Sequence, residues 1–205
     1  MKYYHSIKDP QVVRAIKNGA VAVLPTDTVY GLVASALNPA AAKRLYKLKS
    51  RDHKPGTVIA ANCEQLIELG LKSRYLKAVR QFWPGPVSVI IPCGDELNYL
   101  HLGSHGLAVR IPSATDIVEL LKETGPLLTS SANLPGMPPA NTVTEAERYF
   151  GAGVEAYIDG GDMSGHAPST VIRIVDDTVE VVREGAVKIN DAGTVQPLSH
   201  SLPYP

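Results

Sequence analysis

Short apolar strands alternate with amphipathic helices along most of this chain, and this alternation constrains the possible folds more than any other feature. A capping residue followed by proline marks the start of two helices, at Asp9-Pro10 and Asn38-Pro39. In the last third, Asp176-Asp177-Thr178 separates two strand-like segments and predicts a hairpin. Helices mixed with a hairpin predict a single α/β domain with a twisted, mixed β-sheet flanked by helices.

Further start signals and hydrophobic periodicity place the remaining elements. Ser113 is predicted to cap one helix, and Thr142 with Glu145 fits a capping box for another. Residues 191–205 are rich in Gly, Pro and Ser without periodicity, so we predict a domain over 1–190 and a C-terminal tail over 191–205. The predicted helices cover 10–18, 39–49, 64–69, 74–82, 114–122 and 143–150, and the predicted strands cover 20–24, 57–61, 87–91, 107–111, 127–129, 171–175 and 179–183.

Composition excludes several classes of function. The 20 Lys and Arg residues are balanced by 20 Asp and Glu residues, which excludes a nucleic-acid binder that relies on overall positive charge but not a local basic patch. Residues 1–18 lack an apolar signal core, and no apolar run reaches the ~20 residues of a membrane span. Cys63 and Cys93 have no metal-ligand spacing. We therefore expect a cytoplasmic protein with free thiols and no membrane association.

Polar loops that directly follow apolar strands are the candidate ligand-binding segments, because ligands in α/β folds usually bind at strand ends. The loop from Pro25 to Gly31 offers hydroxyls, a carboxylate and a phenol, and the loop from Thr129 to Asn133 offers small hydroxyls and an amide. Ordinary turns prefer the same residue types, so each loop alone is compatible with either role. Arg110 lies inside an apolar strand and either faces solvent or enters a cleft.

Cationic side chains concentrate after the second predicted helix, where they could hold a polyphosphate. A helix C-terminus also favours cations through its dipole, and a solvated surface explains the cluster about as well. His101 and His105 could ligate a metal, but without clustered acidic or Cys partners a surface loop is favoured. Gly160 to Gly165 has the glycine spacing of a P-loop, but His166 stands where lysine is required. The basic cluster comprises Lys43, Arg44, Lys47, Lys49, Arg51, His53 and Lys54.

Seven short motifs follow one another along the chain: Pro25 to Leu32, Lys49-x-Arg51, Trp83 to Pro86, Val109 to Pro112, Ser131 to Asn133 with Gly136, Ser169 to Val171, and Arg183 to Gly185. Their order resembles the YrdC-type threonylcarbamoyl-AMP synthases in the short, single-domain form, over roughly Val12 to Val187. The resemblance implies an α/β fold whose twisted sheet has a concave basic face. It also implies a nucleotidyltransferase that makes threonylcarbamoyl-AMP and pyrophosphate from L-threonine, bicarbonate or CO₂, and ATP, with Mg²⁺ accompanying ATP.

The resemblance further implies roles for individual residues. Because negative charge builds on phosphoryl oxygens in such a reaction, cations near the phosphates are the expected catalytic groups. Lys49 and Arg51 have this role by their motif positions. Three residues would bind L-threonine, namely Thr28, Arg110 and Ser169, and five would bind ATP, namely Arg51, Ser131, Asn133, Asn141 and Arg183. The product would pass to a separate threonylcarbamoyl transferase that modifies tRNA.

The chain departs from the family's pattern at Asp52 to Thr57 and at Pro168, and two alternatives stay open. One is a module that binds double-stranded RNA or tRNA and acts in ribosome maturation, using a local basic patch. The other is a paralogue that keeps the fold without synthase activity. Retention of Lys49 and Arg51 together with Ser131 and Asn133 argues against such a loss.

Overall fold

A ten-stranded mixed sheet forms the centre of the computed structural model, which describes residues 1–50, 54–190 and 192–197. The strands of this sheet are β1 (Lys2–Tyr4), β2 (Ala22–Pro25), β3 (Tyr30–Ser35), β4 (Thr57–Ile59), β5 (Val87–Pro92), β6 (Gly106–Arg110), β7 (Leu127–Ser131), β8 (Ala156–Ile158), β9 (Thr170–Val175) and β10 (Thr178–Arg183). Their spatial order is β1-β8-β2-β3-β7-β4-β6-β5-β9-β10. Four neighbouring pairs are parallel (β1 with β8, β2 with β8, β4 with β6, β5 with β9) and the other five are antiparallel, as predicted for a mixed sheet.

Helices cover both faces of the sheet and bury two hydrophobic clusters against it. Leu45 and Leu76 pack in the cluster on one face, and Val12 and Leu120 pack in the cluster on the other. The described part of the chain contains no helix with the length and apolar character to cross a membrane. The helices are α1 (Pro10–Lys17), α2 (Pro39–Leu48), α3 (Cys63–Glu68), α4 (Ser73–Val79), α5 (Asn98–His101), α6 (Thr115–Thr124) and α7 (Val143–Phe150), with short 3₁₀ turns at Arg80–Phe82, Asp95–Leu97 and Gly151–Gly153.

The two predicted cap-plus-proline signals are confirmed by their hydrogen bonds. The Asp9 carboxylate accepts from the backbone N–H of Gln11 at 2.7 Å, ahead of α1. The Asn38 side-chain oxygen accepts from the N–H groups of Ala40 and Ala41, each at 3.1 Å, ahead of α2. These side chains satisfy N–H groups that the first turn of a helix leaves unpaired, which is why the local sequence alone fixes both starts.

Other local predictions need correction. The prediction that Ser113 caps α6 is wrong, because Ala114 occupies the cap position and no side chain caps this helix. The capping box of α7 is partial: Thr142 Oγ1 accepts from the N–H of Glu145 at 3.2 Å, but the Glu145 carboxylate accepts from the N–H of Asn141 instead of Thr142. Part of the predicted tail is ordered as a strand, since β12 (Val195–Pro197) pairs antiparallel with β11 (Val187–Ile189).

Candidate active site

A small polar cavity of about 80 Å³ lies against the sheet, and five of the residues predicted to bind substrates line it. They come from the β2–β3 connection, the end of β6, the end of β7, the segment before β9 and the end of β10. These residues are Thr28, Arg110, Ser131, Ser169 and Arg183. The fold therefore brings motifs from distant parts of the sequence into one cleft.

Arg110 enters this cleft, and its side chain is almost completely buried. Its Nη1 donates to Oδ1 of Asp27, which is also buried, so the two form an ion pair in the floor of the cleft. Asp27 reaches it from the β2–β3 connection although three strands separate β2 from β6, and its Oδ2 lies 3.4 Å from the backbone N of Ser113. The Nε of Arg110 is buried and has no hydrogen-bond partner among the described residues. One donor of the guanidinium is therefore unused within this part of the protein.

Lys49 holds the loop that follows β7, and it is only 1% exposed. Its Nζ donates to the carbonyl oxygen of Ser131 at 2.8 Å, to Oδ1 of Asn133 at 2.9 Å, and to the carbonyl oxygen of Asn133. Ser131 Oγ also donates to Asn133 Oδ1, at 2.6 Å. Asn133 Nδ2 then donates to the carbonyl oxygens of Leu134 and Met137. The predicted catalytic lysine and two predicted ATP-binding residues thus form one network that shapes this loop.

Ser169 is buried and lines the same cavity, where hydroxyl and guanidinium groups meet. Its Oγ lies 2.9 Å from Oγ of Ser88, a fully buried residue of β5. Arg183 Nη2 donates to the carbonyl oxygen of Ser169 at 2.6 Å and to its Oγ at 3.2 Å. Arg183, predicted to bind ATP, is therefore bonded directly to a residue predicted to bind threonine.

The β2–β3 connection contributes hydroxyl groups, and Gly31 at the start of β3 allows a close approach to β7. Thr26 Oγ1 lies 3.0 Å from Thr28 Oγ1 and donates to the carbonyl oxygen of Val29 at 2.7 Å. A Cβ on Gly31 would lie 2.8 Å from Thr129 Oγ1 and 3.0 Å from Thr26 Cγ2. A side chain at this position would therefore displace the hydroxyl groups that line the cleft.

Tyr30 anchors the long connection between β8 and β9 that leads to Ser169. Its hydroxyl accepts from the N–H of Gly160 at 2.8 Å and donates to the carbonyl oxygen of Gly161 at 2.9 Å. Burial raises the pKa of the Tyr30 phenol, because the charged form is poorly solvated there. The phenol, noted in the sequence as a possible ligand group, instead has a structural role in this conformation.

Not every predicted site residue lies in the cavity. Arg51 lies outside the described residues, as does His53 of the basic cluster. Among the described residues, Lys49, Asn133 and Asn141 are not part of the cavity lining. The backbone carbonyl of Asn141 accepts from Met163 N–H at 2.8 Å. Burial of Lys49, together with the ion pair between Arg44 and Glu155, reduces the exposed positive charge that the basic cluster suggested.

His101 is a buried, structural histidine and not the surface-loop residue that the sequence favoured, and Asp95 lies beside it and His105 although the sequence showed no clustered acidic partner. Although ligand atoms of Asp95, His101 and His105 lie within 4.8 Å of one another, His101 Nδ1 accepts from the N–H groups of Gly103 and His105, each at 3.2 Å. Its Nε2 lies 3.1 Å from the carbonyl oxygen of Gly94 and donates to it, since Nδ1 is the acceptor. Both ring nitrogens of this buried histidine therefore serve the loop.

Three residues of the site carried no predicted role: Asp27, Ser88 and Thr170. Asp27 stands inside the polar motif after β2, so its carboxylate was visible in the sequence, but its partner Arg110 was not. Ser88 is a polar residue in an apolar strand, which is a usable signal because a buried hydroxyl needs a partner. Thr170 is a β-branched residue at a strand start and gives no such signal.

Comparison with known proteins agrees with this geometry. The family model described as "Sua5_yciO_yrdC: Telomere recombination" matches residues 14–185. The chain is 34% identical to the threonylcarbamoyl-AMP synthase of Vibrio campbellii, over 85% of this chain and 97% of the relative. It is 32% identical to that of Photobacterium profundum, with the same coverage. The crystal structure of Pyrococcus abyssi Sua5 complexed with L-threonine superposes with a TM-score of 0.81 at 27% identity, covering 91% of this chain and 58% of that chain.

The mixed sheet, the hydroxyl-rich cleft and the length of the match define the class of protein. The chain belongs to the Sua5/YciO/YrdC family, in the short form that corresponds to nearly the full length of the Vibrio and Photobacterium relatives. The resemblance noted in the sequence is thereby confirmed at the level of the family and the fold.

Proposed function

We propose that this protein is a threonylcarbamoyl-AMP synthase, which makes threonylcarbamoyl-AMP and pyrophosphate from L-threonine, bicarbonate or CO₂, and ATP. The observation that carries the proposal is the single cleft that gathers Thr28, Arg110, Ser131, Ser169 and Arg183 in a member of this family. Relatives with this activity in their names are 32–34% identical to the chain over most of its length.

The proposed reaction depends on positioning and charge stabilisation more than on a nucleophilic side chain. The threonine amine adds to CO₂ and loses a proton to form a carbamate. A carbamate oxygen then bonds to the α-phosphorus of ATP while the bond from that phosphorus to the pyrophosphate oxygen breaks. Negative charge grows on the phosphoryl oxygens and on pyrophosphate, so donors that are fixed beforehand lower the barrier.

Arg110 is the proposed contact for the threonine carboxylate. Its Nη1 is fixed by Asp27, whereas its Nε is a buried donor without a described partner, which supports a ligand at that edge. A guanidinium edge can bind a planar carboxylate through two parallel hydrogen bonds. The hydroxyls of Thr28 and Ser169 line the same cavity and are proposed to complete the threonine site.

ATP is proposed to bind at the side of the cleft formed by the loop after β7. Ser131 and Asn133 would contact the nucleotide, with Lys49 fixing that loop from beneath and Arg183 at the boundary with the threonine site. Arg51, which lies outside the described residues, and Asn141 complete the proposed set. Mg²⁺ would arrive with the ATP phosphates as part of the substrate, because the cleft carboxylate of Asp27 is already bonded to Arg110.

The test is pyrophosphate release from ATP in the presence of L-threonine and bicarbonate. We expect release that requires both compounds, with omission of each as the matched control and L-valine as a substrate analogue without the hydroxyl. Release that is equal without threonine would indicate a plain ATPase and would overturn the proposal. Formation of threonylcarbamoyl-AMP should be confirmed by mass spectrometry of the product.

Binding of tRNA or double-stranded RNA is the alternative that the same experiments should include. We expect weak binding that falls steeply with salt, because only a local basic patch is available on a chain with no net charge. Tight, salt-insensitive binding would favour an RNA-binding role instead. If the synthase activity is found, its product would be used by a threonylcarbamoyl transferase acting on tRNA, in the cytoplasm where Cys63 and Cys93 remain free thiols.

A further inference from the structure

The segment that follows β10 is bonded closely to the residues on either side of Ser169. We call residues 183–187 the strap. Arg183 donates to Ser169 as described above, and the N–H of Ala186 donates to the carbonyl oxygen of Pro168 at 2.8 Å. The strap therefore contacts the chain immediately before Ser169 as well as Ser169 itself.

Thr170 makes a second contact, between the start of β9 and the end of the strap. Its Oγ1 donates to the carbonyl oxygen of Val187 at 2.6 Å and accepts from the N–H of Val187 at 3.2 Å. Thr170 is 1% exposed, so water does not readily replace these bonds. One buried hydroxyl thus satisfies both backbone groups of Val187 and links the start of β9 to the end of the strap.

Gly185 allows the strap to lie directly on the backbone that carries Ser169. A Cβ at this position would lie 2.2 Å from the Pro168 carbonyl oxygen and 2.5 Å from the Ser169 carbonyl carbon. These neighbours are backbone atoms and cannot rotate aside, so any side chain would push the strap and Ser169 apart. The glycine is required here for close approach.

Ser169 needs such support because it lies just before β9 and is not held by the ladder of that strand. A displacement of about 1 Å at a substrate-positioning group can reduce a rate by about a hundredfold. We propose that Thr170 and Gly185 are positioning residues that fix Ser169 at the threonine end of the cleft through the strap. This inference rests on the proposed function, since it concerns the threonine site of the same reaction.

Four variants test the role of the strap. Thr170→Val keeps the shape of the side chain but removes the hydroxyl, and we expect the KM for threonine to rise about tenfold, with a smaller rise in the KM for ATP because Arg183 begins the strap. Thr170→Ser keeps the hydroxyl and should restore values close to wild type. Gly185→Ala should reduce kcat/KM for threonine by at least about tenfold. Gly94→Ala is the control, because the three atoms nearest to its Cβ belong to the flexible Glu96 carboxylate and its φ of −88° is ordinary.

The two proposals fail in different ways. If wild type is active but Thr170→Val and Gly185→Ala keep the wild-type KM for threonine while circular dichroism shows a folded protein, the strap inference is wrong and the proposed function stands. If wild type has no synthase activity, the proposed function is wrong. Hydrogen exchange at the Ala186 amide then tests the strap itself: faster exchange in Thr170→Val than in Thr170→Ser supports it, and equal exchange overturns it.

Discussion

Arg110 and Lys49 are both buried cations beside the same cleft, and their described bonds go to different kinds of oxygen. Arg110 is paired with the carboxylate of Asp27, which is buried as well. The described bonds of Lys49 go to neutral oxygens of Ser131 and Asn133, two residues that are only half-buried. Removing Arg110 would leave a buried charge, whereas removing Lys49 would leave oxygens that water can approach. The proposed threonine end is therefore tied to a buried ion pair, and the proposed nucleotide end to the order of the loop after β7.

The largest effect is expected from separating the Asp27–Arg110 pair. Arg110→Leu should lower the free energy of unfolding by about 3–5 kcal/mol, because the Asp27 carboxylate stays buried without its counter-charge. Urea denaturation followed by circular dichroism measures this change. The double variant Asp27→Leu with Arg110→Leu should recover most of the loss. A single variant as stable as wild type would show that the pair is not coupled to the fold.

A smaller effect is expected at the other cation. Lys49→Met should lower the free energy of unfolding by about 1.5–3 kcal/mol, the range for hydrogen bonds that involve a charged group, and should raise the KM for ATP. Lys47→Met is the matched control, since Lys47 is exposed on the same helix and should behave as wild type. Equal stability of Lys49→Met and Lys47→Met would contradict the role of Lys49 in ordering the loop.

Tyr30→Phe should lower the free energy of unfolding by about 1–2 kcal/mol, because the hydroxyl makes two hydrogen bonds to the connection that leads to Ser169. The pKa of this phenol is raised in the folded state, so the folded protein keeps its proton when the unfolded chain begins to ionise near pH 10. The stabilising contribution is complete below that pH and declines above it. The difference between wild type and Tyr30→Phe should thus shrink as pH rises above about 10, as measured by denaturation at several pH values. A constant difference would contradict this account.

The smallest changes in stability are expected at two neighbouring serines, Ser130 and Ser131. Ser131→Ala should lower the free energy of unfolding by about 1 kcal/mol, since it removes a hydrogen bond to Asn133 within the loop that Lys49 holds. Ser130→Ala should be neutral or slightly stabilising, because the buried Ser130 Oγ has no hydrogen-bond partner among the described residues. Thermal unfolding of both variants measures the contrast. A larger loss for Ser130→Ala would indicate that its hydroxyl has a partner after all.

Elements with local signals were predicted from the sequence, and those without them were missed. The helices after Asp9 and Asn38 start where their caps indicate, because capping depends on residues two or three positions apart. The strand Tyr30–Ser35 was not predicted, although its residues are all buried, because its first residues belong to a polar motif that suggested a loop. The strands β1 and β8 have three residues each, too few to show a period.

The candidate site shows the same limit. Motifs in the sequence identified the residue types, and five of those residues meet in the cavity. The pairing of Asp27 with Arg110 joins positions 83 residues apart, so no local spacing could indicate it. Burial of Lys49 was also not predicted, because a lysine at the end of a helix usually extends into solvent. Partners and burial depend on tertiary packing, which a motif does not describe.

The position of β9 and β10 at one edge of the sheet has a consequence for how the protein is made. A ribosome delivers the chain from its N-terminus, and β9 pairs with β5 only after about eighty intervening residues have been synthesised. Until then the outer edge of β5 presents unpaired backbone groups to other chains in the cell. Ser169 and Arg183 emerge with β9 and β10, so the same stretch of chain both covers the edge of β5 and completes the lining of the cleft.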